Sequence, residues 1–158
     1  MNNLKAALIW ITDILKKHSV PFQITGGLAA RAYGATRPIA DIDIDIPEDK
    51  FDIIKSEVLS FITYGPGQFK SKKWDLLLMT LNYQDQVIDL SGAYYTKIFN
   101  EKTGLWQVLS EDLSKAQPQN IFGLQLPVIP LDILITYKKA LSREVDIIDI
   151  QEITKAKV

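Results

Sequence analysis

The 158-residue chain has the length of one ordinary domain, enough to bury an apolar core without disulfides or a structural metal. With 47% hydrophobic and 23% charged residues it reads as globular, and the lack of cysteine excludes a disulfide framework, a thiolate metal site and a cysteine nucleophile. A net charge of −1 offers phosphates no attraction from the molecule as a whole, so composition does not favour a nucleic-acid binder.

Met1 to Val20 carries apolar residues at Leu4, Ala7, Leu8, Ile11 and Leu15, broken by Asp13, Lys16 and Lys17. That is helical periodicity and not the unbroken apolar core of a signal peptide. Nowhere does an apolar run reach the roughly 18 residues of a membrane span. A soluble, cytoplasmic protein of one domain, 1–158, is expected, with a core over about 20–129 and a helical segment over about 130–155. Val20 to Thr25 predicts a strand stopped by the Gly26-Gly27 turn, and Leu28 to Tyr33 a short helix capped near Gly34. Ile39 to Ile46 alternates with a period of two, a strand with one apolar face and one face carrying Asp41, Asp43 and Asp45.

Pro47-Glu48-Asp49 starts the next helix, which Phe51 to Phe61 continues. Tyr64-Gly65-Pro66-Gly67 reads as a loop. Trp74 to Leu81 and Gln86 to Leu90 read as a hairpin joined through Asn82 to Asp85. Ser91 to Gly123 has no assignable periodicity and is a candidate for part of the substrate site. Leu124 to Ile129 is a strand, and Leu131 to Leu141 and Val145 to Ile153 are two closing helices.

Three aspartates on one strand face repel one another, and something must offset that cost. A strand face turned to bulk water at a sheet edge is one answer. A divalent cation is the other, since hard carboxylate oxygens suit magnesium, which fills the rest of its shell with water and substrate phosphate. The context favours the cation. Gly26-Gly27 opening a helix can receive phosphate on backbone N–H groups, and Asp89 is a lone carboxylate in an apolar strand. If Asp89 sits beside Asp41 and Asp43, three carboxylates converge as a two-metal site for in-line displacement at phosphorus requires.

Gly26-Gly27, Arg37, Asp41-Ile42-Asp43 and Asp89 resemble the polymerase-beta-type nucleotidyltransferase superfamily. The string Gly26 to Gly34 followed by Arg37, Asp41 and Asp43 is most similar to a small bacterial branch, that of lincosamide and aminoglycoside nucleotidyltransferases and the minimal nucleotidyltransferases of toxin-antitoxin loci. Leu131 to Leu134, then Lys138, Arg143, Asp146 and Asp149, resembles the helical segment that closes many of them. The resemblance implies an α+β fold, a short mixed sheet flanked by helices with the carboxylates on neighbouring strands. It implies Asp41 and Asp43 as ligands of two Mg²⁺ ions, Asp89 as ligand of the catalytic one and helper in deprotonation, and Gly26 and Gly27 as receivers of the triphosphate.

Arg37 is then a candidate phosphate contact, a salt bridge to a helix being the alternative. Lys138 is either a nucleotide contact or a solvated helix-surface lysine, and Arg143 with Asp146 or Asp149 an intrahelical pair. Asp43 with Asp45 is a second possible register, disfavoured by the spacing from Arg37 and by Pro47; Asp45 then supports the site or is exposed at the strand's end. The activity implied is transfer of a nucleoside monophosphate, AMP from ATP before other nucleotides, to a hydroxyl of a small-molecule acceptor. A protein or tRNA acceptor, with a homodimer or a partner protein, is the alternative; a non-catalytic nucleotide-binding module is a third. His18 is read as a helix-end cation, Trp74, Trp106, Tyr94 and Tyr95 as packing, and Lys70, Lys72 and Lys73 as a solvated loop cluster.

Overall fold

The computed structural model describes residues 3–157; Met1, Asn2 and Val158, the ends of the expected domain, lie outside the described residues. Helix α1 (Asn3–Lys17) is followed by β1 (Gln23–Thr25), α2 (Gly26–Ala32), β2 (Asp41–Ile46) and α3 (Phe51–Val58). Seven strands come next: β3 (Ile62–Lys70), β4 (Trp74–Tyr83), β5 (Gln86–Gly92), β6 (Thr96–Asn100), β7 (Leu105–Leu109), β8 (Gln117–Ile121) and β9 (Leu124–Val128). Helices α4 (Leu131–Leu141) and α5 (Glu144–Ala156) close the chain. The class is α+β, as the sequence implies.

Among the described residues nine strands form one mixed sheet in the order β7-β6-β4-β5-β2-β1-β9-β8, with β3 added to β4. Strand β2 lies parallel to β5 and antiparallel to β1, which in turn lies parallel to β9. The alternation in β2 is realised directly: Ile42, Ile44 and Ile46 are fully buried and join Leu8, Ile11 and Leu15 of α1 with Ile54 and Val58 of α3 in the core. The opposite face carries the aspartates. Helix α2 ends where expected, in a two-bond cap. Ala35 donates to the Ala30 carbonyl at 2.9 Å and Gly34, at φ +119°, to that of Arg31 at 3.1 Å. The β4–β5 hairpin turns at Gln84 and Asp85, both left-handed, with Asp85 N–H held by the Asn82 side chain at 3.0 Å.

Two sequence expectations are corrected. Tyr64 to Gly67 is no loop but lies inside β3, whose pairing with β4 shifts register between Ile62 and Tyr64 and again before Gly67. An edge strand tolerates a proline without its N–H, and bulges absorb the extra residues. Lys70 accordingly ends β3 and does not belong to the loop that holds Lys72 and Lys73. The unassigned stretch 91–123 contains β6, β7 and β8. β7 is a sheet edge with Leu105 and Val108 in solvent, so no alternation of burial marks it.

Because Ile44 is fully buried in a central strand whose other face carries the acids, Ile44→Ala is expected to destabilise the fold by about 2–5 kcal/mol. Urea unfolding followed by circular dichroism reads this directly.

Candidate active site

The parallel register of β2 and β5 sets Asp43 directly beside Asp89, with Asp41 two residues earlier on the same face of β2. Carboxylate oxygens of Asp41, Asp43 and Asp89 all lie within 4.8 Å of one another. Asp45 is not in this group. It is buried, takes 2.9 Å donation from the Gln23 amide, and is thus not exposed at the strand's end. Of the two possible aspartate pairs, it is Asp41 and Asp43 that meet Asp89.

The electrostatics follow from this crowding. Burial, and then the charges of Asp41, Asp89 and Asp45, hold the Asp43 carboxyl well above its ordinary range. Burial also raises Asp89, tempered by a 2.6 Å hydrogen bond from the Thr80 hydroxyl, with the Asp41 charge pushing it up further. An all-oxygen donor set this close, with its negative charge uncompensated, has the chemistry of a hard divalent-cation site.

The two glycines have a steric reason to be there. Gly26 stands at φ +64°, and a β-carbon on it would lie 2.2 Å from Asp43 Oδ2; one on Gly27 would lie 2.9 Å from Arg37 Nη2. Each thus admits a charged group of the site against the start of α2. The Gly26 N–H already donates to the Tyr137 hydroxyl at 2.9 Å, and that hydroxyl also meets Thr25 Oγ1 at 3.0 Å. Burial raises the Tyr137 pKa strongly, which keeps this bridge protonated.

Opposite the acids stands a chain of ion pairs. Arg37 grips Asp149 of α5 with two hydrogen bonds, of 2.6 and 2.9 Å; Lys138 lies 3.0 Å from Asp149 and 3.1 Å from Asp146; Arg143 grips Asp146 at 2.7 and 3.0 Å. Asp146 and Asp149 have no exposed side-chain surface and Lys138 has 1%. Lys138 is therefore no solvated surface lysine. Arg143 pairs with Asp146 at i,i+3 as expected, from the residue just before α5, and its partner carboxylate is buried in a network. Arg37 makes the helix salt bridge, yet it also lines the cavity. Burial alone would raise Asp146, but Arg143 and Lys138 outweigh it and hold that carboxyl below its ordinary range.

The carboxylate group, both glycines, Tyr137, Arg37, Lys138 and Arg143 line one cavity of about 310 Å³. Every sequence-predicted site residue reaches it. Thr80, Tyr137 and Glu111 were not singled out by sequence. Thr80 is legible only through its register opposite Asp89, and a helical tyrosine carries no signal at all. Trp74 lines the cavity beneath Arg143, whereas Tyr95 is 73% exposed and does not pack as expected.

Three solved structures share this fold over nearly the whole chain. A candidate nucleotidyltransferase from Thermotoga maritima is 21% identical, with 97% of this chain and 93% of its own covered, at a TM-score of 0.73. A lincosamide antibiotic adenylyltransferase with lincomycin bound is 16% identical, over 94% of this chain and 95% of the other, at 0.63. ANT(2″)-Ia in complex with adenylyl-2″-tobramycin is 16% identical, over 98% and 90%, at 0.64. No family model and no curated protein sequence matches the chain. The architecture is thus the nucleotidyltransferase fold that the motifs imply.

Two outcomes follow from the geometry. Gly26→Ala drives a β-carbon into the Asp43 carboxylate at a left-handed position, and is expected to cost about 1–3 kcal/mol in thermal unfolding. Burial lifts Asp45 from its ordinary 3.8 to about 7, so between those values the folded chain holds a proton that the unfolded chain releases. Stability from this group is present at low pH and lost as pH rises towards 7. In metal-free buffer, Asp45→Asn should therefore gain on the wild type progressively from pH 4 to 7 and stay ahead above it, as denaturation across pH will read.

Proposed function

We propose that the protein transfers a nucleoside monophosphate, AMP from ATP before others, to a hydroxyl of a small-molecule acceptor. The observation that carries this reading is the meeting of Asp41, Asp43 and Asp89 within 4.8 Å in a cavity whose other wall is cationic. The neighbours add weight: one is an antibiotic adenylyltransferase, and another is held with an adenylylated aminoglycoside.

In this reading Asp41, Asp43 and Asp89 hold two Mg²⁺ ions. When bound, these neutralise the carboxylates and the charge that develops at phosphorus. The triphosphate lies towards the start of α2 and the Arg37–Lys138–Arg143 wall. There three cations face two carboxylates, Asp146 and Asp149, leaving one net positive charge to receive it. Arg37, braced by Asp149, offers guanidinium N–H groups in a fixed plane to phosphate oxygens. The acceptor oxygen attacks the α-phosphorus, the bond to the bridging β-phosphate oxygen breaks, and pyrophosphate leaves. Asp89, which accepts a hydrogen bond from the Thr80 hydroxyl, takes the acceptor's proton in this reading.

Asp43→Asn keeps the side chain's size and removes its charge. Transfer, read as pyrophosphate release, is expected to fall by about 100-fold or more, with an unfolding temperature in metal-free buffer no lower than wild type. Calorimetric titration with a non-hydrolysable ATP analogue should show binding that needs Mg²⁺ and disappears in the Asp41→Asn/Asp43→Asn variant. No binding under any condition would overturn the transferase reading.

A further inference from the structure

The row of side chains that crosses the sheet at the carboxylates continues past them. The registers of β5, β2 and β1 set Asp89, Asp43 and Thr25 side by side on three adjacent strands, so Thr25 flanks Asp43 on the side away from Asp89. Residues directly opposite one another share a face, and adjacent strands lie about 4.8 Å apart. Tyr137 reaches Thr25 from α4, and both side chains line the cavity.

The hydrogens of this pair do not balance. The Gly26 N–H donates to Tyr137 Oη at 2.9 Å, and Oη lies 3.0 Å from Thr25 Oγ1. Two hydroxyls carry two hydrogens, and one of them closes the contact between the two oxygens. The other has no acceptor, since among the described residues neither hydroxyl makes a further hydrogen bond. Thr25 is 8% exposed and Tyr137 4%, so solvent has little access to either. The spare proton belongs to Tyr137, because a phenol donates more strongly than an aliphatic alcohol and its oxygen can accept from Gly26 and Thr25 together. Burial raises the phenol's pKa, with the Asp43 and Asp45 charges adding to the rise, so the proton stays on. A buried donor with no acceptor is costly, and a ligand that brings an acceptor relieves that cost.

Resting on the transferase reading of the site, we propose that the Tyr137 hydroxyl donates to a β- or γ-phosphate oxygen of the nucleotide, handing on the backbone N–H that Gly26 has spent on the phenol. Two of the three positive charges of the neighbouring wall are taken up by Asp146 and Asp149. A neutral donor adds a contact there without a further cation, and an O–H on an anionic oxygen makes a short, strong hydrogen bond. The two hydrogen bonds that Oη accepts polarise the one it gives. Position selects the outer phosphates. The hydroxyls flank Asp43 on the side away from Asp89, which takes the acceptor's proton in this reading, and in-line displacement puts the leaving group opposite the attacking oxygen.

The test measures the affinity of the full chain for the non-hydrolysable ATP analogue, for inorganic tripolyphosphate and for AMP, each with Mg²⁺, in the wild type, in Tyr137→Phe and in Thr25→Val. Tyr137→Phe keeps the ring and removes the hydroxyl. It is expected to bind the analogue and tripolyphosphate about tenfold or more weakly, with AMP within about twofold of the wild type. Thr25→Val, which keeps the phenolic proton, should lose less. Unchanged or tighter binding of the analogue by Tyr137→Phe, an equal loss for AMP, or a larger loss in Thr25→Val overturns the proposal. A wild-type measurement needs no variant to fold: with tripolyphosphate bound, proton NMR should show a slowly exchanging hydroxyl resonance with Overhauser contacts to the Tyr137 ring, and its absence overturns the proposal as well. A wild type that binds none of the three ligands sinks the transferase reading and this proposal with it, whereas wild-type binding that Tyr137→Phe leaves untouched sinks the proposal alone.

Discussion

Like charge held at close quarters is the constraint on which the rest of this structure turns. Asp43 and Asp89 are neighbours because β2 and β5 run parallel in a register that leaves neither an alternative place. That register is fixed from behind. Ile42, Ile44 and Ile46 fill the core on the opposite face, and a slip of one residue would bring aspartates into the core and isoleucines into the cavity. The hydrophobic effect thus supplies the force that confines the carboxylates, and their repulsion is the cost it carries. Gly26 belongs to the same arrangement, for the Asp43 carboxylate occupies the space of its missing side chain.

The ion-pair chain performs the complementary task. Arg37 precedes β2, Lys138 belongs to α4, and Arg143, Asp146 and Asp149 belong to the entry and body of α5. Tying them together fixes the two closing helices against the edge of the acidic strand, so the C-terminal segment forms a wall of the cavity. Buried ion pairs are poor evidence for net stability, because desolvation offsets most of their attraction. What they supply here is position: each cation is held by a carboxylate behind it and faces the cavity in front.

How much of this could be read from sequence depends on which signals are local. The strict alternation of Ile39 to Ile46 and the turn formers of Asn82 to Asp85 write their structure into adjacent residues, and both were legible, though not the left-handed backbone of Gln84 and Asp85. So was the placement of Asp89, once a resemblance linked it to Asp41 and Asp43. Burial of Lys138 was not, because it depends on two aspartates eight and eleven residues later folding back over it. Strands β6 to β8 escaped for a different reason. An edge strand such as β7 has solvent on too many sides for alternation to appear, and Leu105 and Val108 look in sequence like any exposed apolar residue. Glu111 has no neighbour in sequence that marks it; only the 2.8 Å bond to Ala93 reveals where it is.

The charge lining the cavity is divided between two walls. Asp41, Asp43 and Asp89 crowd together on the sheet, with Asp45 buried beside them under the Gln23 amide, while Arg37, Lys138 and Arg143 line the wall that the closing helices bring up. Asp146 and Asp149 take up two of those three positive charges, and none of the ion pairs crosses to the acids of the sheet. Under the proposed function this division would matter, because in-line displacement at phosphorus needs the attacking and leaving oxygens on opposite sides of the reacting atom. A leaving pyrophosphate would be drawn to the cationic wall, and the acceptor would then approach from the side away from it.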